Sequence, residues 1–285
     1  MKHAKASDAA AQRPIHPVLS IVMGVLIACT MAVSLVYAGF SACAVPDQTT
    51  RLLANAFSND ADSPFTHDEL VETAVVSKRY TATDNDLDAM VAQVAKINAQ
   101  AAADGRNTDP AGAPVLPQDW ENASTEELLA SFDGVADQYV LDAAALSHLD
   151  DCYLVIGKAR NVLNVVAIAA IVLLILSSLL LSGRTIGRAL TAAGGLVLAA
   201  FAALAIWVTV DFDGFFAAFH SLFFVDGTWQ FSWDSLLICM YPEKFWIGMG
   251  AVWLLVTVAG CILCLIIGGH LRRKYAFELN IPRRN

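Results

Sequence analysis

The chain of 285 residues is 56% hydrophobic and carries a net charge of −9, with 27 acidic residues against 18 Lys and Arg. A mean hydropathy of +0.54 excludes an ordinary soluble domain of this length. The acidic balance excludes a nucleic-acid-binding role, which needs a basic face.

The apolar residues are gathered into four runs, each near the ~20 residues that cross roughly 30 Å of hydrocarbon. An all-α integral membrane protein with four transmembrane helices is expected, with an extracytoplasmic helical cap and an interfacial aromatic segment between spans three and four. Residues 1–17 form a short polar tail, and 18–44 form the first span. Its Leu26-Ile27-Ala28-Cys29 resembles a lipobox, but the apolar run continues to Phe40, so an uncleaved helix is expected rather than a signal peptide.

Residues 45–160 hold most of the acids and read as a helical cap. Thr66 followed by Glu69 fits a capping box, and Leu70, Ala74, Val75 and Tyr80 then recur at helical spacing. A second helix is expected over 84–103, with Leu87, Val91, Val94 and Ile97 as its stripe. Residues 104–119 hold three prolines and two glycines and read as a mobile loop. Ser124 and Glu127 make a second capping box, and periodicity from Tyr139 leads into span two at 162–181.

A cytoplasmic loop at 182–188 and span three at 189–210 follow, with Gly194-Gly195 able to bring helices close. Segment 211–244 is crowded with Phe and Trp and reads as a half-inserted interfacial element. Span four covers 245–268, and 269–285 is a basic tail.

Lys2, Lys5, Arg13, Arg184, Arg188, Arg272, Arg273, Lys274, Arg283 and Arg284 all fall in the tails or the 182–188 loop. By the positive-inside rule both termini are cytoplasmic, in a multi-pass protein of the cell membrane. The uncharged spans argue against a transport pathway.

Of the histidines, His67, His148 and His220 are exoplasmic in this topology. His67 opens a predicted helix, where an exposed polar residue is ordinary. His148 precedes span two and His220 follows span three, so residues 72 positions apart (220 − 148) converge on one membrane face. With Asp150, Asp151, Asp211, Asp213 and Asp226 nearby in sequence to orient the rings, they form a candidate acid/base pair. Metal ligands at recognisable spacing are lacking, no nucleophile motif is present, and no cofactor is expected. Cys29, Cys43, Cys261 and Cys264 fill the spans. Cys152 and Cys239 are both exoplasmic, where a disulfide is open to them.

Ser147-His148-Leu-Asp-Asp151, Phe216-Ala-Ala-Phe219-His220-Ser-Leu-Phe223-Phe224, Gly227-Thr-Trp229-Gln-Phe231 and Leu236-Leu237 through Tyr241-Pro242 to Phe245-Trp246 together resemble the lipoprotein intramolecular transacylase family. The resemblance covers roughly residues 140–250 and the four-span layout. It implies an acyltransferase that moves a chain from the diacylglyceryl group of a lipoprotein to its N-terminal cysteine amine. His148 and His220 would be its catalytic pair, with Asp150, Asp151 and Asp213 in support. Phe216, Phe219, Phe223, Phe224, Trp229 and Trp233 would hold acyl chains. The partners implied are membrane lipid and the lipoprotein substrate. His148 is expected to serve the amine and His220 the oxyanion or leaving oxygen. The alternative is a non-catalytic membrane protein whose acidic cap binds an envelope component.

Overall fold

The computed structural model describes residues 16–107 and 112–278. Among these residues the secondary structure is helical, without strands. In order come α1 (Pro17–Ala44), α2 (Asp47–Phe57), α3 (His67–Ala82), α4 (Leu87–Ala103), a 3₁₀ turn (Trp120–Asn122), α5 (Thr125–Ser131), α6 (Ala143–Leu180), α7 (Gly183–Val210), α8 (Phe212–Ser221), α9 (Leu236–Met240) and α10 (Glu243–Glu278).

Helices α1, α6, α7 and α10 are long and apolar enough to cross a membrane. In hydrocarbon every backbone N–H and C=O must be paired within the segment, and a helix does this residue by residue. Helix α6 is longer than its span requires. Its 38 residues extend roughly 57 Å at 1.5 Å per residue, almost twice the hydrocarbon thickness. The stretch from Val162 is uncharged, while the part before it carries His148, Asp150, Asp151, Lys158 and Arg160. That first part therefore lies outside the apolar span.

The chain divides into two compact units. The first contains the described residues up to Leu35, Asn164–Ala200 and those from Val258. Small residues set its packing. A Cβ on Gly187 would lie 2.6 Å from the Gly268 carbonyl oxygen, and one on Gly268 would lie 2.7 Å from that of Gly187. Helices α7 and α10 thus touch backbone to backbone at this crossing. Gly194 approaches the Cys261 carbonyl in the same way, whereas Gly195 faces open space. Cys261 is fully buried.

The second unit contains Val36–Leu163 and Phe201–Thr257. Leu70, Met90, Ile97, Tyr139, Leu236, Met240 and Phe245 are among its fully buried side chains. Both capping boxes are present. Thr66 and Ser124 accept from the backbone N–H groups of Glu69 and Glu127, whose carboxylates accept from the cap N–H in return. Helix α4 begins at Leu87, after the cap Asp86, three residues later than its pattern suggested.

Two helices were not expected. Helix α2 has a proline at its N-cap and no side-chain cap, so its start carries no sequence signal. It is held by ion pairs instead. Asp47 accepts from Lys78 at 3.0 Å and from Arg79 at 2.6 Å, and Lys78 also donates to the Val45 carbonyl at 2.6 Å. Helix α9 has five residues, too few to show a period. It is inserted into the core, with Leu236, Cys239 and Met240 fully buried. The Leu236 N–H donates to the Asp137 carbonyl, and the Asn59 N–H donates to that of Cys239.

Of the expected loop at 104–119, residues 108–111 lie outside the described residues. Just before them, Arg106 donates to both carboxylate oxygens of Glu69, at 2.9 and 2.8 Å.

Candidate active site

His148 and His220 come from different elements of the second unit. His148 stands on the second turn of α6. That turn is fixed where the Ala145 N–H donates to Asp142 and where Ala145 and Leu149 are buried in the core, and more than three turns further along α6 Arg160 donates to the Ala82 carbonyl at the end of α3. His220 is in the last turn of α8, a ten-residue helix capped by Asp211, whose carboxylate accepts from the Gly214 N–H at 2.8 Å. Segment 211–246 is anchored by α9 at its far end, and Tyr241 donates its hydroxyl proton to the Ala74 carbonyl.

The imidazole centroids are 6.2 Å apart, with the ring planes 28° from parallel. Phe224 touches both, at 4.8 Å from His148 and 5.7 Å from His220. Phe231 lies 5.6 Å from His148. Phe216 and Trp229 pack on His220 at 4.0 and 4.7 Å. These are aromatic walls, which cannot solvate an imidazolium. Burial, with the like charge of His220 added, pushes His148 down from 6.5 to about 4, against a smaller opposing pull from Asp151. Burial also lowers His220, against the hydrogen bond to the Phe216 carbonyl. Both rings are neutral at neutral pH.

A neutral imidazole has one N–H and one lone pair. His220 Nδ1 is 2.8 Å from the Phe216 carbonyl oxygen, which can only accept. Nδ1 therefore carries the proton and Nε2 the lone pair. His148 Nε2 is 3.6 Å from the Cys152 sulfur, and its Nδ1 is buried without a partner. The Trp229 indole N–H is also buried without a partner.

The carboxylates expected in support do not bond to either ring. Asp150 accepts the Tyr80 hydroxyl and, at 3.3 Å, the Asn85 amide. Asp151 and Asp213 are exposed, and only the charge of Asp151 is felt at His148. Of the expected acyl contacts, Phe216, Phe224 and Trp229 surround the imidazoles. Phe219 and Phe223 are half exposed and extend the aromatic face, at 5.3 Å from each other. Trp233 is 66% exposed. His67 is half-buried, with its Nε2 3.0 Å from the Asn55 carbonyl oxygen.

Sequence reasoning read Cys152 only as a disulfide candidate and Phe231 only as part of a motif, and placed neither against His148. The spacing of His148 and Cys152, four apart on a predicted helix, is the signal that points to their contact. Cys152 and Cys239 are free thiols. The described residues hold no group of three or more His, Cys, Asp or Glu able to bind a metal ion.

Fold and site together define a polytopic helical membrane protein with a two-histidine, aromatic-walled site outside its uncharged spans. Residues 126–246 match the family model described as lipoprotein intramolecular transacylase Lit. Its fold is similar to that of the membrane integral lipoprotein intramolecular transacylase Lit from Bacillus cereus. The TM-score is 0.63 at 16% identity, over 92% of this chain and 100% of that one. Two variants of the Bacillus cereus protein with single mutations are also similar, each with a TM-score of 0.59 at 16% identity. They cover 91% and 92% of this chain and 96% and 95% of theirs. At this identity the likeness is one of fold. No curated protein matches the chain.

Proposed function

We propose that this protein transfers an acyl chain within a diacylglyceryl-modified lipoprotein, from a glyceryl ester to the amine of the N-terminal cysteine. The observation that carries this reading is the pair of imidazoles 6.2 Å apart inside an aromatic wall. The family match over the same residues supports it.

The reaction needs a base, a donor for the oxyanion, and a proton for the leaving oxygen. The substrate amine, in its neutral form, attacks the ester carbonyl carbon. His220 Nε2, with its lone pair free, accepts a proton from the attacking nitrogen as the C–N bond forms. The carbonyl oxygen becomes an oxyanion, with the Trp229 N–H as a candidate donor to it. Collapse breaks the bond to the glyceryl oxygen, and the proton on His220 passes to that oxygen. The product is an amide and a free hydroxyl, and the imidazole is neutral again. This makes His220 the base and exchanges the two roles expected from the sequence.

The acyl chains lie against Phe216, Phe219, Phe223 and Phe224, with Trp233 at the lipid boundary. The site faces the outer side of the cell membrane, with both termini cytoplasmic. The basic residues of the tails and the 182–188 loop support this orientation.

Mass spectrometry of lipoprotein N-termini tests the reading in cells with the protein, without it, and with His148→Ala or His220→Ala. N-acylated, S-monoacylglyceryl peptides are expected only with the intact protein. Their equal abundance in cells lacking it sinks the proposal.

A further inference from the structure

The two nitrogens of His148 are in different situations. The residue is 8% exposed, and Nδ1 has no hydrogen-bond partner. On the other side, Nε2 lies 3.6 Å from the sulfur of Cys152, one turn further along α6. Burial, with the charge of Asp151 added, pushes the Cys152 thiol up to about 12. Cys152 therefore keeps its proton and is a poor nucleophile.

Two pairings are open to this contact. In one, His148 donates Nε2–H to sulfur, a weak acceptor, and the thiol proton stays unused. In the other, the thiol donates to the lone pair of Nε2, a strong acceptor. The second uses the stronger acceptor, and among the described residues no other donor bonds to that nitrogen. It is also the arrangement that complements His220. If His148 kept its proton on Nε2, both imidazoles would offer the site a lone pair, leaving neither ring to donate to an oxyanion.

We propose that the Cys152 thiol donates its proton to His148 Nε2 and holds His148 in the tautomer with its proton on Nδ1, so that Nδ1 is a hydrogen-bond donor. Cys152 is thus a positioning residue that acts through His148. Its role in catalysis rests on the proposed acyl transfer; the tautomer itself does not. The imidazole pair then supplies one base, His220 Nε2, and one neutral donor, His148 Nδ1–H, beside the Trp229 N–H. A neutral imidazole is a fitting donor to an oxyanion, because it stabilises the developing charge without surrendering its proton.

The test uses the full chain, labelled with ¹⁵N-histidine, in detergent micelles at neutral pH. Two-bond nitrogen–proton correlation spectra assign each tautomer, and His148→Gln identifies the His148 signals. Wild type and Cys152→Ser, which keeps a donor at the same place, are expected to show Nδ1 protonated and Nε2 bare. Cys152→Ala is expected to move the proton toward Nε2, the preference of free histidine. In reconstituted vesicles with a diacylated lipoprotein, Cys152→Ala should lower kcat about threefold to tenfold with KM within about twofold. Cys152→Ser should restore it. A wild-type His148 protonated on Nε2 overturns the proposal, as does a Cys152→Ala protein whose His148 tautomer is unchanged. The expected tautomers together with an absence of acyl transfer would uphold the thiol contact and defeat the proposed function instead.

Discussion

Burial of His148 predicts a loss of stability in mild acid that a single substitution reduces. Its pKa is about 4 in the folded protein against 6.5 as the ordinary value. Between those values the unfolded chain binds a proton that the folded site refuses. Stability is therefore full above 6.5, falls as the pH drops through this window, and stops falling below about 4. At about 1.4 kcal/mol per pH unit the loss is about 3 kcal/mol. His220 is lowered for the same reason and adds a contribution of the same sign. Asp47 and Glu72, held below the usual carboxylate range by Arg79 and Arg51, lose their contribution only at lower pH. Asp137 acts with the opposite sign, since burial raises its carboxyl. For this reason the informative quantity is the difference between wild type and His148→Gln, a neutral side chain at every pH. The assay is the denaturant midpoint in mixed micelles from neutral pH down to about 4. Wild type should fall by about 3 kcal/mol more than His148→Gln across the window. Parallel curves for the two proteins would refute the claim that burial holds this imidazole neutral.

Further outcomes follow from single contacts. Trp229→Phe keeps the aromatic stack on His220 but removes the unpartnered N–H; transfer rates in vesicles should fall by about tenfold or more if that donor meets the oxyanion. Gly187→Ala places a methyl against the Gly268 carbonyl and should cost about 1–3 kcal/mol in micelle unfolding. Gly195→Ala, on the same helix but facing open space, should be neutral or stabilising by up to about 1 kcal/mol. Tyr80→Phe leaves the Asp150 carboxylate one donor short and should destabilise by about 1–3 kcal/mol. With both rings held by other partners, acyl transfer should stay within about threefold of wild type, measured in the same vesicles.

The spans were legible because lipid imposes a simple rule: about 20 uncharged residues in helical form. The capping boxes at Thr66 and Ser124 were legible because they are local, with donor and acceptor three residues apart. Helix α2 was not, since the ion pairs that hold Asp47 come from Lys78 and Arg79, about thirty positions further along the chain. Helix α9 was hidden for a related reason. Its five residues acquire a helical shape from burial against α3 and the Asp137 turn, and so short a piece carries no periodicity of its own.

For the site, topology was enough to bring the two imidazoles to one layer, but not to say what each nitrogen does. The carboxylates at 150, 151 and 213 looked like natural partners because they are close in sequence. Asp150, two positions from His148, points to another side of the helix and bonds to Tyr80 and Asn85, while Asp151, three positions on, and Asp213, seven positions before His220, are turned to the exposed surface. Residues four apart share a face, and both rings found their partners there: Phe216 for His220 and Cys152 for His148. The consequence is chemical. A carboxylate beside either ring would have favoured the imidazolium, raising its pKa and removing the free base at neutral pH. A backbone carbonyl and a thiol fix the proton on a chosen nitrogen while leaving the ring uncharged, so one imidazole can accept a proton and the other can donate a hydrogen bond within the same apolar wall.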